Sequence, residues 1–334
     1  MEMPTSTLTG ITLKDMFDAG LHFGHQTKRW NPKMKGYIFD KRNGIHIIDL
    51  TQSVGMLDEA AAFLRDTVLA GKKVLFVATK KQASELVKDA AVSVDQFYMT
   101  ERWLGGTLTN SKTIRSSVKR MRQLQATAKA NGGELSEHKQ EASMLRRELA
   151  KLEKNLTGIA DMNEQPGAVV IVDCVREANA VKEAVRLHIP VVAIVDTNAD
   201  PEPIDYVIPG NDDSVRGIEL ILGGLTKVIK TANEEYSAKA AEEAKNREAQ
   251  RKSRDDAEKA ARAERKAKAA QHRPAAAKKA SVGADVKAAA RAAKEAAEIK
   301  AKADLAAKRQ AAVVEAEAAV AAAEAPAAEA PVAQ

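Results

Sequence analysis

The chain has 334 residues, 29% of them charged and 4% aromatic, with 52 Lys+Arg against 46 Asp+Glu for a formal charge of +6. Its length allows two domains, but no aromatic lies beyond Tyr236, and residues 233–334 carry 21 basic and 17 acidic side chains, so the second part lacks the makings of a packed core. One cysteine, Cys174, excludes a disulfide framework and a four-thiolate metal site, and neither a run of 18 apolar residues nor a basic-then-apolar leader is present, which predicts a cytosolic chain with no membrane span and no secretion signal.

In chain order, Ser6 to Leu21 reads as a short amphipathic helix, with Leu13, Met16 and Phe17 at helical spacing and Thr12 as its cap. Tyr37 to Phe39 and Ile45 to Leu50 are short apolar runs, and the Asn43-Gly44 pair between them suits a tight hairpin turn. Val54, Leu57, Ala61, Leu64 and Val68 then follow helical spacing as far as Gly71. From there strand and helix alternate. KVLFVAT (73–79), Phe97 to Met99, AVVIVD (168–173), VVAIVD (191–196) and Tyr206 to Ile208 read as strands, with helices over Gln82 to Val92, Arg176 to Leu187 and Asp212 to about Ala232. Near-continuous apolar strands separated by helices predict a parallel sheet buried on both faces in an α/β body over residues 8–232.

An insertion over residues 110–158 interrupts that alternation. Ile114, Val118 and Met121, then Leu145, Leu149, Leu152 and Leu156, recur at spacings of three and four around Asn131-Gly132-Gly133, which predicts an antiparallel coiled-coil hairpin. Residues 233–334 are rich in Ala, Lys, Arg and Glu, with opposite charges at helical spacing such as Glu258 with Arg262, and Pro274, Gly283, Pro326 and Pro331 divide them. A disordered or partly helical extension is expected there.

Two stretches concentrate positive charge. Residues 22–42, HFGHQTKRWNPKMKGYIFDKR, hold Lys28, Arg29, Lys33, Lys35, Lys41 and Arg42 against one acid, Asp40, interleaved with Trp30, Tyr37 and Phe39. Cations that neutralise phosphate beside flat stacking surfaces are what nucleic-acid docking uses. Residues 102–122 add Arg102, Lys112, Arg115, Lys119, Arg120 and Arg122 with no acid, entered through Trp103, the Gly105-Gly106 pair and Asn110, where the backbone can approach a ligand closely. Apart from Phe39, Asp40 and Arg122, the residues named in these two stretches are the expected RNA-binding residues. The plainer alternative is a basic loop and a solvated helix face.

His22-Phe23-Gly24-His25 raises a rival from another class, a nucleotide-using transferase whose paired imidazoles stabilise transferring phosphates. That chemistry needs the motif to follow a buried strand and open a helix, with a second cationic loop downstream, and the sequence has neither. No glycine-rich dinucleotide or triphosphate cradle follows any strand, so no cofactor is expected. Asp173 and Asp196 fall at strand ends, where doubly wound sheets place ligand groups, with Asp200, Asp212 and Asp213 as neighbours. A magnesium site and simple helix capping by Asp212 and Asp213 are both open readings.

Several blocks together resemble the bacterial small-subunit ribosomal protein S-two family: LKDMFDAGLHFG (13–24), FDKRNGIHIIDL, RWLGGTLTN, PGAVVIVDCVREANAVKEAVRLHIP (166–190) and VDTNADPEPIDYVIPGNDD. The resemblance covers about residues 8–232. It implies a flavodoxin-like parallel sheet with a projecting coiled-coil hairpin, bound to 16S ribosomal RNA in the small subunit. It also implies a role in subunit assembly and translation, a docking surface for the neighbouring protein S-one, no enzymatic activity, no stable homo-oligomer and a cytoplasmic, ribosomal location. Nothing about residues 233–334 is implied by it.

Overall fold

In the computed structural model, the described residues are 6–271, 289–294 and 296–297. The part of the tail beyond them, including Pro274, Gly283, Pro326 and Pro331, lies outside the description.

Five parallel strands form the central sheet: β4 (Val74–Val77), β5 (Phe97–Met99), β6 (Ala168–Val172), β7 (Val191–Val195) and β8 (Tyr206–Pro209), in the spatial order β5-β4-β6-β7-β8. Numbered among themselves, the strands run 2-1-3-4-5, the flavodoxin-like doubly wound order. Every residue of β4, β6 and β7 is buried, which is why their sequences are continuously apolar rather than alternating. Alternate side chains supply two separate cores. Phe76, Val170, Val172, Val192 and Ile194 join the core shared with α2 (Leu50–Leu69), α3 (Lys81–Ser93) and the start of α7 (Val215–Gln271), while Leu75, Val77, Ile171, Ala193 and Val195 join the opposite core. That second core is closed by α6 (Ala178–Arg186), by α4 (Ser111–Ala130) and by the C-terminal end of α5 (Lys139–Leu156).

Helices α4 and α5 form the inserted hairpin, joined by residues 131–138. Gln125 Nε2 donates to Glu153 Oε1 at 2.7 Å, while Arg122, one turn nearer the start of α4, reaches Asp161 beyond the end of α5, so the two helices run in opposite directions. Val118, Met121, Leu124 and Leu156 are buried in it, close to the expected seam.

Three features depart from the sequence reading. The first helix, α1, spans only Leu13–Asp18: Thr12 accepts from the Asp15 N–H and Asp15 returns the bond to the Thr12 N–H, so this capping box fixes the start, and the residues before it are tied down instead by Asp58, which accepts from the N–H groups of Thr7 and Leu8. A second, antiparallel sheet is present, β1 (Phe23–Gln26), β3 (Ile45–Ile48) and β2 (Ile38–Arg42) in spatial order, and Tyr37, expected to open the apolar run to Phe39, instead ends a 3₁₀ turn over Pro32–Tyr37. The β2-β3 hairpin turns at Asn43 (φ 50°) and Gly44 (φ 77°), both left-handed as a two-residue turn of this kind demands. Finally, α7 does not end near Ala232 but continues to Gln271.

By contacts the chain divides into two units, Met1–Asn246 and Arg247–Gln334. Within the first, Asn233 donates to the Val94 carbonyl at 2.7 Å, Glu235 pairs with Arg65 at 3.6 Å, and the Tyr236 ring lies against Gly71. No described helix is long and apolar enough to cross a membrane.

Candidate nucleic-acid interface

The two basic stretches stand on the same layer of the sheet. Met34, Tyr37 and Ile38 of the first, and Trp103, Ile114, Val118 and Met121 of the second, belong to one hydrophobic cluster. Their cations are exposed, but they are not equivalent. Lys28, Arg29, Lys35, Lys41, Arg42, Arg102, Lys112 and Lys119 face solvent with no ion pair among the described residues. Lys33 is held by Asp200 at 2.9 Å and by Glu202, which keep its ammonium above the ordinary lysine range. Arg120 makes a two-armed pair with Glu148, and the Arg115 guanidinium donates to the Asn163 carbonyl. Three of the expected RNA-binding cations are thus already engaged within the protein.

The aromatics separate in the same way. Trp30 is half-buried with its ring 5.2 Å from that of His46, and Tyr37 is half-buried in the core, whereas Phe39 is 76% exposed. Trp103 is not an exposed stacking platform: it is 8% exposed, and its indole N–H donates to Glu183 at 3.0 Å. A large ring at the start of a glycine-rich loop reads equally well as surface or anchor in the sequence. The hydrophobic cluster decides for anchor.

Glu183 is the residue on which the 103–110 loop is built. One carboxylate oxygen accepts the Trp103 indole and the Gly106 N–H at 2.7 Å; the other accepts the N–H groups of Leu108 at 3.0 Å and Thr109 at 3.2 Å, and the Thr109 hydroxyl at 3.1 Å. Burial alone would raise its pKa, but these five donors outweigh it and hold the carboxyl below the ordinary glutamate range. Of the two glycines, only Gly106 is constrained, at φ +87° with the Asn110 Cβ 3.0 Å from where its own Cβ would stand, while Gly105 opens onto free space.

At the C-terminal ends of the parallel strands, where such sheets place ligands, the chain fills the crevice itself. Gly24 of β1 lies so close to Thr197 that a Cβ there would come within 2.7 Å of it, and the His25 N–H donates to the Thr197 hydroxyl at 2.9 Å. His25 Nδ1 is 2.9 Å from Asp196 Oδ2, and this contact raises the imidazole pKa against the opposing effect of burial. Lys80, which follows β4 and is nearly buried, meets Asp212 at 2.8 Å, Asp213 at 2.5 Å and Asp173 at 3.6 Å. Burial pushes Asp212 up to about 6, aided by Asp173 and Asp196 and opposed by Lys80. Sequence reading found the four acids but not Lys80, because a lysine after a strand looks the same whether buried or exposed. Of the two readings open for Asp212 and Asp213, a magnesium site or capping of the last helix, the capping role falls to another residue. The cap is Ser214, whose hydroxyl accepts the Gly217 N–H at 3.3 Å, and the two acids turn to Lys80.

Donor atoms of His25, Asp212 and Asp213 lie within 4.8 Å of one another, a spacing that could hold a cation, although the Lys80 ammonium already provides positive charge to both acids. The two motif histidines do not converge. His25 faces Asp196, whereas His22 stacks on Phe17, with ring centroids 4.2 Å apart, and meets the tilted ring of Phe23 at 4.0 Å.

Compared with known families, the chain matches over residues 16–232 the family described as Ribosomal protein S2.

Proposed function

The chain belongs to the Ribosomal protein S2 family, and on that premise we propose that it is a non-enzymatic constituent of the small ribosomal subunit in the cytoplasm that binds 16S ribosomal RNA through residues 22–42 and 102–122. The observation that carries the reading is the set of eight exposed cations without ion-pair partners among the described residues, carried by two segments packed into one layer of the sheet. A polyanion meeting that layer gains affinity by releasing counterions from each phosphate it brings to a lysine or arginine. The remaining residues of the expected interface have other duties within it: Trp103, Gly106 and Asn110 shape the loop, and Lys33, Arg115 and Arg120 fix its flanks. Support for subunit assembly, and a contact with protein S-one, complete the proposed role.

The test is co-sedimentation of the full-length protein with small subunits, together with the salt dependence of its binding to their RNA. Replacing Lys28, Arg29 and Lys35 by Gln should reduce the slope of log affinity against log salt, by up to about 0.9 for each duplex phosphate no longer neutralised. Lys33→Gln should change it least, since Asp200 and Glu202 already neutralise that ammonium. An unchanged slope in the triple variant would remove the N-terminal stretch from the interface.

A further inference from the structure

Between α4, from Ser111 to Ala126, and residues 159–163 runs a groove of about 390 Å³. Its floor is aliphatic: Val118 and Ile159 are 8% and 2% exposed, with Ile114 and Met162 half-buried beside them. Its rim is cationic, formed by Arg115, Lys119 and Arg122 with no acidic side chain in the lining. The walls are fixed, because Arg115 donates to the Asn163 carbonyl and Arg122 to the Ala160 carbonyl at 2.9 Å, strapping the 159–163 segment to α4. Lys119 stands between these straps with its ammonium in no ion pair among the described residues, and Gln123 and Asn163 line the edge.

We propose that this groove receives a single unstacked base of the bound RNA, its faces on the aliphatic floor, its hydrogen-bonding edge toward Gln123 and Asn163, and the adjoining phosphates against Lys119. The inference rests on the RNA-binding role above and adds to it a mode of recognition. Ribonucleoprotein interfaces read sequence chiefly in bases splayed out of loops and bulges, whose flat faces need an apolar slot and whose backbone needs cations at the slot's mouth. A bare phosphate does not fit the floor, which would strip its hydration without supplying donors. A protein segment would have to bring acidic groups to this rim while burying an apolar face in a groove at the small end of the ligand-pocket range, ~300–1,000 Å³.

The test uses small subunits reconstituted with the full-length protein and probed at nucleotide resolution with a base-modifying and a 2′-hydroxyl-acylating reagent. Ser111→Leu with Ala126→Leu fills the groove from positions at its rim. The expected result is a several-fold rise in reactivity of the base of one nucleotide that the wild-type protein protects, with the rest of the footprint unchanged. Lys119→Gln, at an exposed position, should expose the same nucleotide, and it decides the matter if the double variant does not fold. A wild-type footprint that neither variant alters at any nucleotide overturns the proposal while leaving RNA binding in place. Loss of a neighbouring protein with no change in base reactivity overturns it in favour of a protein occupant, and a wild-type chain that leaves no footprint overturns both readings.

Discussion

The carboxylate of Glu183 on α6 accepts the indole N–H of Trp103 at 3.0 Å, joining residues 80 apart in sequence, and the same carboxylate holds three backbone N–H groups of the loop that follows. A short loop is thereby given its shape by one half-buried charge on a neighbouring helix. Glu183→Gln retains one acceptor oxygen but presents an NH₂ to N–H groups that can only donate. The expected cost is on the order of 3 kcal/mol, since a donor group left unsatisfied costs ~1–3 kcal/mol. Denaturant unfolding monitored by Trp103 fluorescence in a Trp30→Phe background measures it, and a loss under ~0.5 kcal/mol would remove Glu183 from this role.

The glycine pair in the same loop makes a sharper comparison. Gly106 has φ +87° and the Asn110 Cβ close by, whereas nothing lies within 4 Å of a Cβ added at Gly105. Gly106→Ala should therefore destabilise the protein by ~1–2 kcal/mol through the left-handed backbone alone. Gly105→Ala should leave the unfolding midpoint in place, so any effect it has on small-subunit incorporation reports a contact made by that surface. Equal loss of stability in the two variants would contradict the assignment.

Lys80 and Asp212 answer differently to removal. Lys80→Met leaves buried Asp212 and its neighbours Asp213 and Asp173 without their ammonium partner, and should cost ~3–5 kcal/mol at neutral pH. Asp212→Asn keeps an oxygen for Lys80 and removes a carboxylate whose pKa burial raises to about 6 from 3.8. The sign follows from proton counting: between those values the folded state holds more protons than the unfolded state, so this group makes stability fall as pH rises from about 4 to 6. His25, whose pKa is also raised, contributes stability at low pH that is lost as pH climbs through its folded value. Asp212→Asn should flatten the pH–stability curve across the window from about 4 to 6, which urea titrations at a series of pH values can read. A slope as steep as the wild type's would mean that another group dominates that range.

The place at which the body ends can be tested by truncation. Cutting after Asn246 should leave the thermal midpoint of the first unit unchanged. Cutting after Asn233 removes the Glu235 partner of Arg65 and the Tyr236 ring that packs on Gly71, and should lower the midpoint by several degrees, as a destabilisation of ~1 kcal/mol in a domain of this size moves it by ~2–4 °C. Identical midpoints would show that Glu235 and Tyr236 add nothing to stability.

How much of this was legible in the sequence depends on which surface decided each element. KVLFVAT, AVVIVD and VVAIVD announced themselves because a strand covered on both faces has no polar side to show, and their order with the intervening helices was enough for the doubly wound sheet. Strand β1 gave no such sign. Phe23-Gly24-His25-Gln26 has no hydrophobic alternation, and its extended form is set by pairing with β3 and by the close seat of Gly24 on Thr197. The continuation of α7 beyond Ala232 follows from helix-forming residues that need no core, so the loss of apolar periodicity there marked the end of the packed face and not of the helix. At the proposed interface the basic stretches were visible, but which of their members are free of ion pairs among the described residues was not. The partners of Lys33 lie 167 and 169 residues away, and sequence-local charge counting cannot see them.

The crevice closed by His25 also sets an order in time. His25 hydrogen-bonds to Thr197 and Asn198 across 172 and 173 residues, and Ala19 and Gly20 accept bonds from Ser214 and Asn211 across 195 and 191. During synthesis at ~5–20 residues per second, the N-terminal sheet must wait roughly 10 to 35 seconds after its own emergence before the strand ends it rests on exist. Its basic, aromatic surface is therefore made early yet is among the last to be fixed in place, and the nascent protein carries it unseated while the 172 residues that separate His25 from Thr197 are added.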